Sequence, residues 1–477
     1  MLTRRLLRWF DDRVGGAPFA TKALNRVFPD HWSFYLGEVA LYCFIVLVGT
    51  GVYLTFFFEP SSREVVYDGS YAPLQGVEMS AAYRSALELS FDVRAGLVMR
   101  QMHHWAALVF VAAIVVHLAR VFFTGGYRKP RDINWVVGVT LLILAVVNGF
   151  LGYSLLDDLL SGTGVRVAYA ILLSVPFIGP DLAFGFFGGE FPTTEMIPRF
   201  YTLHILVVPV IIVALLSVHL ALVWRQKHTQ FPGGGRTEHN LVGERMWPVY
   251  ALKAGALFFL VTALLAAFGG LAQINPIWAY GPFRSSEAAT AVTSASQPDW
   301  YMGWVDGALR LMPGWEFRTS WLTLPNPFFP GVLMPTVFFL VLYLWPFIEA
   351  RVTGDREHHN LLQRPRDNPT RSGIGAAVLA FYAVLFVAGS NDVLAGIFNV
   401  APEDLTLVFR VLVIALPIVA FWLTRRICTE LRDTGLHPVS KQPPDPYTPD
   451  EPALVTAGAG DGADRASGDA DQPVSRA

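Results

Sequence analysis

Two pairs of histidines lie inside long apolar stretches, where an ionisable side chain marks a functional site by default. His103 and His117 are 14 residues apart, and His204 and His219 are 15 residues apart. A helix rises about 1.5 Å and turns about 100° per residue, so the first pair is about 21 Å apart along the axis and within about 40° of one face. Each stretch therefore predicts a helix that presents one imidazole near each of its ends.

Two facing helices of this kind predict two metal centres at different depths. Neutral imidazoles are suitable axial ligands for haem iron, whereas zinc takes more protein ligands than the two histidines available at each depth. The two cysteines, Cys43 and Cys428, are isolated, and the sequence has no CxxCH attachment motif. The pattern therefore predicts two b-type haems that are held without covalent attachment.

Four glycines share the spacing of the first histidine pair. Gly37 and Gly51 lie in the first apolar run and Gly138 and Gly152 in the third, and each two are 14 residues apart. Because glycine has no side chain, the spacing predicts clearance for two porphyrin plates. Ordinary small-residue packing between membrane helices is the alternative, and the shared register favours clearance.

Three arginines are candidate partners for the anionic haem propionates. Arg100 and Arg120 lie one helical turn outside the first histidine pair, and Arg199 precedes the second pair by five residues. The alternative for each is an interfacial arginine whose charged end reaches the headgroups. His104 points about 100° away from its neighbour His103, which predicts a packing or hydrogen-bonding residue rather than a ligand.

The composition predicts an all-α polytopic membrane protein. The chain has 477 residues, of which 53% are hydrophobic and 16% charged, too apolar for an ordinary soluble domain. The net charge of −2 gives no electrostatic basis for binding nucleic acid. Eight runs are long enough to cross a hydrocarbon layer about 30 Å thick. We predict spans over residues 37–58, 96–123, 133–156, 196–224, 248–271, 330–348, 374–389 and 405–424.

The loops predict the orientation of these spans. Residues 1–36 and every second loop after them carry four to six Lys and Arg residues each, and the intervening loops carry three or fewer. The positive-inside rule then places both termini in the cytoplasm. It pairs His103 with His204 toward the outside and His117 with His219 toward the inside.

The same pattern divides the chain into four parts. We predict a cytoplasmic N-terminal arm, a dihaem four-helix bundle, a C-terminal four-helix domain with a long outer loop, and a disordered cytoplasmic tail, poor in large apolar residues. Their bounds are 1–36, 37–224, 225–430 and 431–477.

Taken together, these residues resemble the cytochrome b subunit of quinol:cytochrome c oxidoreductases, the cytochrome bc complexes. The likeness covers about residues 32–426 and includes the histidines, glycines and arginines above. Three further matches are Gly152-Tyr153, Pro176-x-x-Gly179 and Pro298-Asp299-Trp300-Tyr301, the last resembling the family's Pro-Glu-Trp-Tyr signature. The composition, the aspartate in the signature and the long tail are similar to actinobacterial members.

The resemblance implies a specific function, which the composition alone does not indicate. Family members oxidise quinol at an outer site and pass electrons to a Rieske iron–sulfur protein and, through two b haems, to an inner quinone site, with proton translocation. It implies Asp299 as the proton acceptor and Tyr301 as a quinol contact. It also implies menaquinol as the substrate in the bacterial plasma membrane, a c-type cytochrome subunit, a terminal oxidase in a supercomplex, a homodimer and surrounding membrane lipid.

The inner quinone site transfers poorly from the family. Trp224 stands where mitochondrial-type members have a histidine, and Ala254 stands where they have an aspartate after the fifth-span lysine. Tyr35, Glu38 and Lys253 are the remaining candidates near that face.

Two other functions use histidines within the membrane. A secondary transporter would use the histidines as a proton relay, but such proteins show inverted repeats, and here all four histidines lie in the N-terminal half. A dihaem anchor for a soluble dehydrogenase would need neither the 298–301 signature nor four further spans.

Overall fold

The computed structural model describes Arg5, Trp9 and residues 11–13, 15–190, 193–283 and 297–434. Of the tail that we predict to be disordered, residues 435–477 lie outside this described part, and so does much of the beginning of the N-terminal arm.

Eight helices of the described part are long and apolar enough to span a membrane, as predicted. The spans, first to eighth, are Trp32–Thr55, Gly96–Phe123, Asp132–Ser154, Met196–Gln226, Met246–Leu271, Phe329–Thr353, Pro369–Ala388 and Pro402–Asp433. Their ends lie within about five residues of prediction, apart from the eighth span, which continues past residue 424. There Arg426 pairs with Glu430 at 2.9 Å and lies over the Trp422 ring, so a charged turn extends the helix.

Short elements occupy the loops. The shorter helices and turns are Ala17–Leu24, Ala72–Leu74, Ala81–Phe91, Leu159–Leu173, Gly179–Phe187, Ile277–Tyr280, Trp300–Met302, Gly303–Leu311, Pro365–Asp367 and Asn391–Phe398. The strands form three antiparallel pairs: Val27–Phe28 with Glu244–Arg245, Glu64–Val66 with Glu78–Ser80, and Phe317–Arg318 with Thr323–Leu324.

The first four spans pack around the histidines. The first span lies along the second and the third along the fourth, while the fifth and sixth cover the second and third. Buried Phe150 and Phe200 join the third and fourth spans, and buried Cys43 and Leu265 join the first and fifth. We call the end of this bundle that carries His103 and His204 the outer end, and the opposite end the inner end, following the predicted orientation.

The fourth span contains a π-helical turn at Leu203–Val207, and His204 lies within it. A π turn takes one residue more than an α turn. The extra residue explains how a 15-residue step can present His204 and His219 on one face, as the 14-residue step of the regular second span presents its own pair.

The outer loop after the fifth span is fixed by a close backbone contact. Trp300–Met302 forms a turn, and the helix Gly303–Leu311 continues it against the seventh span. A Cβ added at Gly307 would lie 1.8 Å from the Leu385 carbonyl oxygen, so only glycine allows this approach. The contact sets the depth at which Asp299 enters the bundle.

Candidate functional site

The outer histidines face each other across a narrow gap. The ring centroids of His103 and His204 are 6.1 Å apart and their planes are inclined by 76°. Metal–imidazole nitrogen bonds are about 2 Å long, so this separation suits one metal ion between the two rings. No group of three or more His, Cys, Asp or Glu side chains suited to a metal occurs among the described residues.

Hydrogen bonds fix which ring nitrogen each outer histidine keeps free. Thr50 Oγ1 lies 2.9 Å from His103 Nδ1 and donates to the Val46 carbonyl at 2.7 Å. Because that bond uses the hydroxyl hydrogen, Thr50 accepts from His103 Nδ1–H. His204 Nδ1 lies 2.9 Å from the Asn148 carbonyl oxygen, which only accepts. Both rings therefore keep an Nε2 lone pair, as metal-binding histidines do when the other nitrogen donates to the protein.

The inner histidines are held less tightly. His117 and His219 lie within electrostatic range of each other. The buried Nδ1 of His117 has no hydrogen-bond partner in the part of the chain that the structure describes. His219 lies near the Asn134 backbone, and its buried Nδ1 also has no hydrogen-bond partner among the described residues.

The four glycines lie against the four imidazoles, each glycine facing the histidine of the next span at its own depth. A Cβ added at the glycine would lie 3.2 Å from His103 Cε1 at Gly51, 2.5 Å from His204 Cε1 at Gly152, 3.2 Å from His117 Cε1 at Gly37, and 3.7 Å from His219 Cε1 at Gly138. The nearest protein atoms are therefore imidazole atoms. The glycines, which we predicted to clear space for porphyrin, leave space first for the imidazoles that we predict to bind its iron.

Two of the three predicted arginines carry a free nitrogen at the bundle. Arg100 is 6% exposed, and its Nη2 is buried without a partner among the described residues, as is Nη2 of Arg120. Arg199 is different, because its guanidinium donates to the Gly185 carbonyl at 2.7 Å and does not line the cavity at the outer histidines.

This set of residues fits haem b. At the outer level two imidazoles with free Nε2 atoms face each other, and at both levels glycines leave room beside the rings. The buried unpaired nitrogens of Arg100 and Arg120 are suited to anionic carboxylates.

One cavity joins the outer histidine pair to the Pro-Asp-Trp-Tyr turn. Its lining includes His103, His204, Arg100, Asp299 and Tyr301. Tyr301 is 3% exposed, and a Cβ at residue 149 would lie 2.5 Å from its hydroxyl oxygen. A glycine of the third span therefore admits the Tyr301 ring, and the loop residues that we predicted from the signature reach the predicted metal centre.

Three donors converge on the Asp299 carboxylate. His104 Nε2 lies 2.9 Å from both oxygens, Tyr301 donates from its hydroxyl at 3.0 Å, and the Asn275 amide lies at 3.5 Å. A carboxylate has two acceptor oxygens and can take all three contacts at once. A carboxylate at a cavity wall is chemically suited to accept a proton.

His104 is the site residue whose role the sequence did not specify. Its predicted hydrogen-bonding role is realised, but the partner is 195 residues away along the chain. The direction of the side chain was predictable from its neighbour His103, whereas the arrival of Asp299 depends on how the outer loop folds back.

Among the inner-site candidates, Glu38 lies in a hydrogen-bonded cluster. Its carboxylate accepts from the Tyr250 hydroxyl and from the Tyr42 hydroxyl at 2.9 Å. Lys253 bridges Asp30 at 3.1 Å and Glu244 at 2.8 Å near the surface.

Aromatic stacking and a cation–π contact hold two further residues of this inner region. Tyr35 stacks on Tyr250 with ring centroids 6.3 Å apart, and Trp224 is covered by the Arg26 guanidinium, which also donates to its carbonyl.

Asp157 and His228 are among the groups outside the spans whose pKa values are shifted. Asp157 follows the third span with φ of 53° and is 8% exposed. Burial, and then the charge of Asp158, raise the pKa of the Asp157 carboxyl to about 6, against a hydrogen bond from Ser80. Burial, with nearby arginines, lowers the pKa of His228 to about 4. His228 is therefore a neutral, half-buried imidazole.

Comparisons with known proteins find related chains. A family model described as Cytochrome b(N-terminal)/b6/petB matches residues 108–282. The chain is 54% identical over 423 residues to the cytochrome bc1 complex cytochrome b subunit of Mycobacterium tuberculosis (strain ATCC 25618 / H37Rv), covering 88% of this chain and 76% of that protein. It is 49% identical over 437 residues to the subunit of the same description from Streptomyces coelicolor, covering 91% and 79%.

A solved structure shares the fold. A chain of a hyperthermophilic respiratory Complex III superimposes with a TM-score of 0.65 over 87% of this chain and 99% of its own length, at 20% sequence identity.

Proposed function

The chain belongs to the family of cytochrome b subunits of cytochrome bc1 complexes, and from that premise we propose that it oxidises menaquinol at its outer end and passes electrons to a quinone site at its inner end. It is an integral membrane protein of electron transport, part of an oxidoreductase, and its family binds haem b. Family membership decides against the secondary transporter and against the anchor of a soluble dehydrogenase.

Two haems per chain are proposed. His103 and His204 would hold the outer haem, and His117 and His219 the inner one, with Arg100 and Arg120 as propionate partners. Bound haem supplies one-electron transfer between the two depths. The protein positions the imidazoles, keeps the neighbouring spans clear through its glycines and offers the free Arg nitrogens to the propionates.

At the outer end, Asp299 accepts a proton from a quinol hydroxyl. Oxidation of the quinol gives a quinone, two electrons and two protons, and a carboxylate at the cavity wall receives one of those protons. The observation that carries this assignment is the shared cavity, which places Asp299 and Tyr301 beside the outer ligand pair. Tyr301 orients the carboxylate through its own hydroxyl.

At the inner end, Glu38 is the proposed acid of the quinone site, with Tyr35 stacked nearby and Lys253 at the surface. Both termini face the cytoplasm of a bacterial plasma membrane, which places the quinol site on the outer side and the quinone site on the inner side. Protons therefore leave outside and are taken up inside, as a Q cycle requires. The partners are a Rieske iron–sulfur protein, a c-type cytochrome subunit, a second copy of the chain and a terminal oxidase in a supercomplex. The chain is catalytic only within that complex.

The purified complex tests the outer assignment with Asp299→Asn. Loss of one charge-assisted acceptor is expected to lower kcat for quinol oxidation by about a hundredfold while both haems remain bound. The control is Asp355→Asn, which removes a carboxylate that also accepts from a histidine, His359 Nε2 at 2.9 Å, but lies near the inner end. Unchanged turnover in Asp299→Asn would overturn the assignment.

A further inference from the structure

His104 and Asp299 meet at the wall of the outer cavity in a symmetric arrangement. His104 Nε2 lies at 2.9 Å from each carboxylate oxygen, so its N–H points between the two. Such a contact restricts both the position and the plane of the carboxylate, whereas contact with one oxygen would leave it free to turn. The side chains are only 10% and 7% exposed, so water competes little for the bond.

The backbone around residue 299 is held in place, so it has little freedom to adjust to a longer acidic side chain. The turn Trp300–Met302 follows directly, and the next helix is held against the seventh span by the Gly307 contact with Leu385. An aspartate has a single methylene between backbone and carboxylate, so its reach is fixed by these constraints. A glutamate would carry its carboxylate about 1.5 Å farther, a carbon–carbon bond length. In the present side-chain direction that space is occupied by the His104 ring.

We propose that His104 is a positioning residue for quinol oxidation, which holds the Asp299 carboxylate at the cavity wall and sets the length of the acidic side chain that the site accepts. The inference rests on the proposed function, in which Asp299 receives the quinol proton. His104 acts through Asp299 and needs no contact with the quinol.

Packing is the competing explanation, and it makes a different demand on residue 104. A packing residue is replaceable by an apolar side chain of similar volume. A positioning residue needs an N–H donor near the place of Nε2, which glutamine retains and leucine lacks. His104→Leu and His104→Gln therefore separate the two explanations.

The test is carried out on the purified complex with a soluble menaquinol analogue. His104→Leu is expected to lower kcat about tenfold with KM changed less than about threefold, because a charge-assisted hydrogen bond is lost while the cavity remains. His104→Gln is expected to stay within about threefold of the original kcat. The matched control is His359→Ala, which removes a histidine–aspartate bond of the same 2.9 Å length near the inner end and should leave kcat unchanged.

A double-mutant cycle tests the length relation. Asp299→Glu is expected to lower kcat about tenfold, and adding His104→Ala is expected to cause no further loss, since the longer acid then has room although the positioning hydrogen bond is gone. Losses that multiply independently would overturn the proposal, as would full activity in His104→Leu.

Two further measurements keep the test decisive. Because His104 adjoins His103, the reduced-minus-oxidised spectrum of both b haems is recorded for every variant, and the cycle is read from variants that retain both. Asp299→Ala separates the two claims. If it keeps full turnover, the proposed function fails; if it is inactive while His104→Leu is fully active, only the positioning role fails.

Discussion

At the outer end of the bundle both imidazoles that we propose as ligands are hydrogen-bonded back to the protein, to Thr50 and to the Asn148 carbonyl, and a carboxylate lies on the same cavity. At the inner end His117 Nδ1 has no such partner within the described residues. Ligands that are held by a surrounding hydrogen-bond network are oriented before the metal arrives. If the proposed ligands are correct, the chain itself preorganises the outer centre, whereas the inner centre depends more on the group that binds there.

Removing one ligand at each end gives the largest expected effect. His204→Ala should abolish the outer haem and leave the inner one, and His219→Ala should do the reverse, since in our proposal two imidazoles hold each iron. A pyridine haemochrome assay with redox titration of the purified complex measures both. Loss of the same centre in both variants would contradict the pairing, and His358→Ala, in an inner loop, serves as the control.

Substitution of a glycine by alanine compares the outer and inner ends with the addition of a single methyl group. Gly152→Ala places a Cβ 2.5 Å from an imidazole carbon that the Asn148 hydrogen bond holds in place, whereas Gly138→Ala leaves 3.7 Å. Overpacking costs about 1–3 kcal/mol, so retention of the outer haem should fall about tenfold in the first variant, and retention of the inner haem should fall by less in the second. Haem content after purification is the measurement. Equal effects at the two positions would refute the steric argument.

The Thr50 hydroxyl tests the preorganisation directly. Thr50→Val keeps the shape but removes the acceptor for His103 Nδ1–H. Outer-shell partners of metal ligands are worth about tenfold or more in affinity, so the outer haem should dissociate about tenfold more readily and its midpoint potential should shift. Thr140→Val is the control, because that hydroxyl bonds Tyr343 and no histidine. A variant with an unchanged outer haem would mean that Thr50 does not orient the ligand.

Several features at both ends were predictable from the sequence because they depend on local periodicity. Helical spacing placed His103 and His117 on one face, and apolar run lengths gave the eight spans, which the structure confirms. The signature resemblance indicated Asp299 and Tyr301, and the structure places both on the cavity of the outer histidines. The roles of these residues remain predictions.

The remaining features depend on contacts distant in sequence. His104 contacts Asp299, which lies 195 residues later in the sequence. This contact forms only when the outer loop folds back onto the second span. The π turn around His204 depends on which backbone hydrogen bonds form, and the spacing of the histidines alone does not specify them. The Arg199 guanidinium donates to the Gly185 carbonyl, a contact that the residue type and offset did not indicate, and its role toward a propionate stays a prediction. Side-chain direction beyond one helix is set by tertiary packing, which no single-segment pattern contains.

The smallest expected effect concerns stability at the outer end, where Asp157 is buried with a pKa raised from 3.8 to about 6. Between those values the unfolded chain releases the proton and the folded chain retains it, so stability falls as pH rises through that window and stays reduced above it. The full cost is about 3 kcal/mol. Asp157→Asn removes the charge, so its gain in thermal stability should be absent near pH 4 and complete above about pH 7. The midpoint of Soret loss on heating the purified complex measures the gain, with exposed Asp68→Asn as the control. A gain that is independent of pH would mean that the carboxyl is not the cause, and the extra stability would then come from the amide's own contacts.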